Sequence, residues 1–198
     1  MTDSSIALST RDRIITTAAA LFAERGYMAT SIGDITKDLG LTRGALYFHF
    51  TSKAELALEV ANKYFEAWGP ILEAAEQEGL RGLDTLRWIS YRVGVAYRED
   101  VVVRAAVRLW RESTEIEADL PAPFVGWIQT TERYLEEELA DGRLVEGLDL
   151  QKVAWQIVAS FFGTQDVSNQ LEQRRDLEQR IDTMWEIILR GVRSPDAR

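Results

Sequence analysis

Apolar residues recur at three- and four-residue spacing along most of this chain, which is the pattern of amphipathic helices. The first stripe includes Ile14, Ala18 and Phe22, and Thr10 is the expected N-cap residue. Because only four prolines interrupt 198 residues, we predict an all-α fold. Further helices are predicted after Ser52, with a kink or break at Gly69-Pro70, and over residues 83–98, 101–110, 124–139, 150–170 and 177–192.

The stretch from Ser31 to Lys53 has a different pattern, with two short helices separated by a tight turn. Gly40 stands where the first helix would end in a left-handed residue, a conformation that glycine adopts without steric cost. Thr42 is a hydroxyl residue placed to cap the next helix, which is predicted over Arg43–Phe48. This arrangement predicts a helix-turn-helix, whose second helix enters the major groove of double-stranded DNA.

The same region carries a family resemblance. The N-terminal domain of TetR-type transcriptional repressors is similar at Tyr27-x-Ala29-Thr30-Ser31-Ile32-x-x-Ile35, Leu39-Gly40-Leu41, Gly44-Ala45-Leu46-Tyr47-x-His49-Phe50 and Ser52-Lys53-x-Glu55-Leu56. The resemblance implies a three-helix DNA-binding domain over residues 1–52. It also implies a larger helical ligand-binding and dimerisation domain over residues 53–198. The alternative is a buried helical hairpin, in which Tyr47 and His49 are ordinary surface or core residues.

Sequence-specific binding needs contacts to base edges, while contacts to phosphates fix the position of the protein on DNA. Arg43 is the candidate hydrogen-bond donor to guanine, although it could equally reach a phosphate, and Ala45 could touch a thymine methyl group. Tyr47, His49 and Lys53 match family positions that usually hold the DNA backbone. The predicted DNA-binding residues are Thr30, Ser31, Thr42, Arg43, Gly44, Ala45, Tyr47, His49 and Lys53.

Charge is unevenly distributed between the N-terminal part of the chain and the remainder. The chain carries a formal net charge of −9, yet the part through Lys53 is at +1 and the remainder is at −10. The acidity therefore belongs to the C-terminal part, where it keeps that part away from DNA. Because the N-terminal part is close to neutral, geometry must contribute more to DNA binding than bulk charge does.

The last two predicted helices are too apolar for a simple monomer surface. Packing of these helices on their symmetry mates would form a four-helix interface, which the family resemblance also implies. A two-fold homodimer would fit a pseudo-palindromic operator with half-sites about one helical turn apart. The alternative is that both helices only close the core of a monomer.

A second resemblance concerns the expected ligand cavity. Pro123-Phe124-Val125-Gly126-Trp127 resembles a segment of the γ-butyrolactone receptors, and so do the segments 102–109 and 160–168. In that group the tryptophan matching Trp127 lines the pocket, and Thr131 lies one helical turn later. Phe162 departs from the group, since many receptors have a threonine there. The predicted ligand-binding residues are Trp127, Thr131, Tyr64, Trp88, Tyr91, Val158, Phe161 and Phe162.

These observations predict a ligand-responsive repressor, released from its operator by a small molecule such as a γ-butyrolactone, butenolide or furan. The alternative is a TetR-type repressor of an efflux or antibiotic-related gene that responds to another apolar ligand. An enzyme is not expected, because the chain has no cysteine, a single histidine and no phosphate-binding or nucleophile motif. No cofactor or metal is expected, nor any membrane span or signal peptide, so the predicted location is the cytoplasm.

Overall fold

The computed structural model describes residues 9–195, and within that range the chain is helical, which confirms the all-α prediction. None of the helices in this range is long and apolar enough to cross a bilayer. The α-helices are α1 (Thr10–Arg25), α2 (Ile32–Leu39), α3 (Arg43–Tyr47), α4 (Lys53–Glu66), α5 (Gly69–Gln77), α6 (Gly82–Glu99), α7 (Val101–Arg111), α8 (Phe124–Ala140), α9 (Leu150–Glu172) and α10 (Leu177–Val192), with a short 3-10 helix at Ser113–Glu115.

The helices form two compact units. The first contains α1 to α4 together with α7 and the segment after it, as far as Pro121. The second contains α5, α6 and α8 to α10. The predicted division between residues 52 and 53 differs from this grouping, because all of α4 packs with the N-terminal helices. The outermost parts of both predicted domains, residues 1–8 and 196–198, lie outside the described range.

The first unit is built around a core to which every one of its long helices contributes. Phe22 of α1, Ile35 of α2, Leu46 of α3 and Val60 of α4 are fully buried there. Leu109 adds the contribution of α7, which packs against both α1 and α4. Because α7 completes this core, the orientation of the short helices α2 and α3 depends on a helix that comes much later in the chain.

Capping residues determine where α2 and α3 begin and end. The hydroxyl of Ser31 accepts the Asp34 amide at 3.1 Å, and the Asp34 carboxylate accepts the Ser31 amide at 2.9 Å, which makes a reciprocal capping box. Gly40 ends α2 in the left-handed region at φ 66°, and Thr42 caps α3 by accepting the Ala45 amide at 3.1 Å. These are the roles predicted for Gly40 and Thr42 from the sequence.

The structure changes one predicted helix boundary and defines the position of another. The N-cap of α1 is Ser9, not Thr10, because the Ser9 hydroxyl accepts the Asp12 amide at 3.1 Å. The long helix predicted after Ser52 is divided in two, since α4 ends at Glu66 and α5 begins at Gly69 with a proline in its first turn.

The second unit packs α6, α8 and α9 with α10 around its own core. A β-carbon added at Gly94 in α6 would stand 2.5 Å from Cδ1 of Ile181, so a glycine permits the close approach of α6 and α10. At the other end of α6, the buried carboxylate of Glu138 accepts the Leu83 amide at 3.1 Å and pairs with Arg143 at 3.0 Å. The packing of α6 is therefore fixed at both ends.

Candidate nucleic-acid interface and ligand cavity

Helix α3 presents a continuous exposed face. Thr42, Arg43 and Gly44 are exposed at its beginning, and Tyr47 is exposed at its end. Ala45 is half-buried between them. A β-carbon added at Gly33 of α2 would stand 3.1 Å from Nη2 of Arg43, so the guanidinium lies along the preceding helix. The exposed face offers hydroxyl, guanidinium and phenol donors to a surface that approaches α3.

Phe48 was not among the predicted site residues, yet 85% of it is exposed. Leu46 and Phe50, two positions away on either side, are fully buried, so Phe48 points in the opposite direction. His49 is half-buried, and its ring meets that of Phe48 edge-on at 5.2 Å. The exposure of Phe48 could be inferred from the sequence, because the apolar residues Leu46 and Phe50, four positions apart, indicate which side of the helix packs on the core.

The residues at the beginning of α2 are less accessible than predicted. Thr30 is only 1% exposed, and its hydroxyl donates to the Gly26 carbonyl at 2.8 Å. Ser31 is exposed, but its amide and hydroxyl are both occupied by Asp34 in the capping box. These hydrogen bonds hold the pKa of Asp34 below its usual value, with the bond from the Ser31 hydroxyl as the largest cause. The Thr30 hydroxyl therefore serves the fold and is directed away from solvent.

Lys53, the ninth predicted DNA-binding residue, is also directed inward. Its ammonium group donates to the carbonyls of Tyr27 at 2.9 Å and of Thr30 at 3.0 Å. Burial lowers the pKa of Lys53, an effect that the Glu112 carboxylate partly offsets. Lys53 is thus part of the packing around the segment that joins α1 to α2.

In the second unit, a cavity lies between α6, α8, α9 and α10. Its free volume is about 40 Å³, which is room for a few water molecules only. Five of the predicted ligand-binding residues line it, namely Trp127, Thr131, Val158, Phe161 and Phe162. Residues that were not predicted complete the lining: Leu86, Ile89, Ser90, Val93, Ile157, Met184 and Trp185.

Few polar groups face this cavity. The Ser90 hydroxyl donates to the Arg87 carbonyl at 2.8 Å and accepts the indole N–H of Trp185 at 2.5 Å, so it is engaged within the protein. Thr131 contributes the other hydroxyl group of the lining and is 3% exposed. The residues that line the cavity are all uncharged, so its environment suits an apolar molecule with few polar atoms.

Aromatic rings form one wall of the cavity. Trp127 meets Trp68 at 5.6 Å between ring centroids, and Phe162 meets Phe124 edge-on at 4.8 Å. Phe124 is the first residue of α8 and is about half exposed, so this wall reaches the surface of the unit. Phe162, which departs from the resembled group, therefore fills space with a ring where a hydroxyl was expected.

Three of the predicted ligand-binding residues lie elsewhere. Trp88 and Tyr91 belong to α6 but to other faces of it, because the cavity side of α6 is set by Ile89 and Val93. Trp88 is half-buried under the Arg92 guanidinium, and Tyr91 is exposed. Tyr64 is buried in the first unit, where its ring meets Trp110 at 4.6 Å. Trp88 and Tyr91, which were named from helical phase alone, therefore do not face this cavity.

The outer surface of α9 and α10 is apolar over a long distance. Leu171 is 73% exposed and Ile187 is 67% exposed, and Val167 and Trp155 are also largely exposed. Val167, Leu171 and Ile187 border one shallow depression between the two helices. Exposed apolar patches of this kind commonly mark an interface.

Comparison with known proteins agrees with this architecture. Residues 14–60 match the bacterial regulatory proteins of the tetR family, and residues 80–194 match the tetracyclin repressor-like C-terminal domain. The A-factor receptor protein of Streptomyces griseus is 33% identical over 189 residues, which cover 96% of this chain and 66% of the relative. The chain thus spans just under two thirds of that relative's length.

Two solved structures are similar over nearly the whole chain. One, from work on the control of antibiotic production by bacterial hormones, is 36% identical with a TM-score of 0.86, covering 93% of this chain and 98% of that one. Another, a γ-butyrolactone receptor of the ArpA-like type, is 28% identical with a TM-score of 0.78, covering 94% and 89%. Both resemblances predicted from the sequence are confirmed, and the chain belongs to the TetR family of bacterial regulatory proteins.

Proposed function

We propose that this protein is a ligand-responsive transcriptional repressor that binds a pseudo-palindromic DNA operator as a homodimer in the cytoplasm. A small, uncharged effector of the γ-butyrolactone, butenolide or furan type releases it. The observation that carries the proposal is the pairing of an exposed α3 face in one unit with an apolar, tryptophan-lined cavity in the other. The protein acts by binding and not as an enzyme.

On the DNA side, α3 enters the major groove. Arg43 donates to a guanine or a phosphate, Ala45 meets a thymine methyl group, and Gly44 allows close approach. Thr42 and Tyr47 donate to phosphates, with His49 beside them, and Ser31 approaches the backbone at the N-terminus of α2. Phe48 joins this set, because an almost fully exposed ring next to Tyr47 gains by packing against sugars or thymine methyl groups. The buried hydroxyl of Thr30 is left out of the set.

The exposed apolar surface of α9 and α10 supports the homodimer. Leu171 and Ile187 would be buried against the same surface of a second copy, as in an isologous two-fold interface. A dimer places two α3 helices on one DNA, which suits half-sites about one helical turn apart. Since the N-terminal part of the chain is nearly neutral, this doubling supplies affinity that charge alone would not.

The cavity supports an uncharged and largely apolar effector. A drug-sized ligand needs roughly 300 Å³ or more, far above the free volume of this cavity. Binding must therefore displace side chains such as Phe162 or Met184, and the ligand-bound and ligand-free proteins cannot pack in the same way. A ligand that favours one packing shifts the conformational equilibrium by its difference in affinity for the two states. Opposition between effector and operator follows if the ligand-bound packing misplaces the α3 helices.

The test has two stages. Wild-type protein is first used to select duplexes from a random-sequence pool, and the recovered duplex is labelled for anisotropy measurements. A synthetic γ-butyrolactone, a butenolide and an uncharged alkylfuran are then titrated into the complex. Enrichment of a palindromic sequence and its release by one of these compounds are expected. Release only by unrelated apolar compounds would favour the efflux-type alternative, and failure to enrich any duplex would overturn the proposal.

Two matched variants identify the effector site. Trp127→Leu removes an indole from the cavity lining, whereas Trp88→Leu removes an indole from the same unit outside that lining. We expect Trp127→Leu to weaken release by the effector about tenfold or more while operator affinity is retained, since a buried aromatic contact of this kind contributes over 1 kcal/mol. Equal effects of both substitutions would contradict the assignment of the cavity.

A further inference from the structure

The segment from Gly26 to Thr30, which we call the corner, joins α1 to α2. The backbone N–H and C=O of Tyr27, in this corner, are both hydrogen-bonded to charged side chains that lie outside the corner. Its amide donates to the Glu112 carboxylate, just after α7, at 2.7 Å. Its carbonyl accepts from the Lys53 ammonium, at the beginning of α4, at 2.9 Å. The corner is therefore held by a carboxylate on one side and an ammonium on the other.

The ammonium group of Lys53 has little left to offer to a phosphate. It has three N–H donors, and two of them meet the carbonyls of Tyr27 and Thr30. Its charge lies over the Tyr27 ring at 4.0 Å from the centroid, a favourable cation–π position. A phosphate could reach only the remaining N–H of Lys53, unless one of these interactions broke. The geometry thus points to a role within the protein.

The Glu112 carboxylate is held in place by Arg108. The Arg108 Nε donates to Glu112 at 3.2 Å, and its Nη1 donates to the carbonyls of Ala23 at 3.1 Å and Glu24 at 2.8 Å. These carbonyls belong to the last turn of α1, where a cation is favourable. Arg108 therefore attaches α7 to the end of α1, and Glu112 attaches it to Tyr27 in the corner.

We propose that Lys53 and Glu112 are positioning residues, which hold the corner and thereby fix the placement of α2 and α3, and that Lys53 makes no phosphate contact. The inference rests on the proposed DNA-binding function. Thr30, whose carbonyl Lys53 bonds, is directly followed by Ser31, the N-cap of α2. A change in the corner therefore shifts the beginning of the helix-turn-helix without altering any residue that faces DNA.

The experiment compares the full-length variants Lys53→Met, Glu112→Ala and the double variant. Lys63→Met is the matched control, because Lys63 lies on the same helix and pairs only with Glu66 at its surface in the described contacts. Each protein is titrated with the selected operator duplex and with a scrambled duplex over a range of salt concentrations. Amide exchange of Tyr27 is measured in the DNA-free proteins, and circular dichroism checks that all of them are folded.

If Lys53 and Glu112 position the helix-turn-helix, each single variant loses on the order of tenfold in operator affinity, since charge-assisted hydrogen bonds to the corner are lost. Affinity for the scrambled duplex stays at the level of the Lys63→Met control. The double variant loses little more than the weaker-binding single variant, because both residues hold Tyr27. Amide exchange of Tyr27 is faster in both single variants. A purely structural role would leave the ratio of operator to scrambled affinity unchanged.

The salt dependence of binding distinguishes a phosphate contact of Lys53 from a positioning role. If Lys53 contacts phosphate, Lys53→Met lowers the slope of log affinity against log salt by about 0.9 per protomer, and affinity for the scrambled duplex falls as well. That outcome would overturn the proposal, as would additive losses in the double variant. If wild-type protein selects no duplex, the DNA-binding proposal fails instead, and the Tyr27 exchange still reports whether the two residues hold the corner.

Discussion

Gly26 offers the most direct test of the packing between α1, the corner and α7. Its φ of 89° and ψ of 172° lie in a region that is essentially confined to glycine. A β-carbon there would stand 2.4 Å from Oε1 of Glu112 and 2.9 Å from Nη2 of Arg108. Gly26→Ala therefore imposes a backbone penalty and also displaces the carboxylate that accepts the Tyr27 amide.

The magnitude follows from these two effects. The backbone conformation costs roughly 1–3 kcal/mol for alanine. Loss of the charge-assisted bond from the Tyr27 amide costs about 1.5–3 kcal/mol more. Together they predict a destabilisation of roughly 2.5–6 kcal/mol, or a fall in melting temperature on the order of 10 °C for a chain of this length.

Gly40→Ala is the matched control for this substitution. Gly40 also has a positive φ, of 66°, but no described atom lies within 4 Å of a β-carbon built there. It should therefore show the left-handed penalty alone, about 1–2 kcal/mol. Thermal unfolding followed by circular dichroism measures both variants. If Gly26→Ala costs no more than Gly40→Ala, the close packing of Glu112 and Arg108 on the corner is refuted.

Three further predictions concern other parts of the molecule. Tyr47→Phe should weaken operator binding about tenfold per dimer, through two lost hydrogen bonds, without changing the dimer; unchanged anisotropy titrations would contradict this. Ile187→Glu should raise the dimer dissociation constant at least about a hundredfold, as measured by analytical ultracentrifugation, because a charge enters an apolar interface twice. The pKa of Asp34 lies below its ordinary value of 3.8, so its contribution to stability is present above that pH and lost as pH falls further. The urea midpoints of wild type and Asp34→Asn should therefore differ at neutral pH and converge in acid; a constant difference would refute the capping role.

Much of the fold follows from local sequence. The spacing of apolar residues, Gly40 and Thr42 determine where the short helices begin and end, because caps and helical periodicity act within a few residues. The predicted helix 177–192 coincides with α10 for the same reason. The contribution of α7 to the N-terminal core was not predicted, since nothing within Val101–Arg111 indicates which distant helices it will meet.

The candidate sites also show which features local sequence determines and which depend on packing between distant residues. Trp127 was named from the resemblance to γ-butyrolactone receptors, and it lines the cavity; the exposure of Tyr47 follows from the helical phase, because the adjacent Leu46 is buried. The inward direction of Lys53 does not, because it depends on carbonyls at Tyr27 and Thr30 that only folding brings to the beginning of α4. A long, flexible side chain can reach either outward to DNA or inward to the protein. Tertiary structure alone decided which partner Lys53 meets, since hydrogen bonds between residues far apart in sequence leave no local pattern.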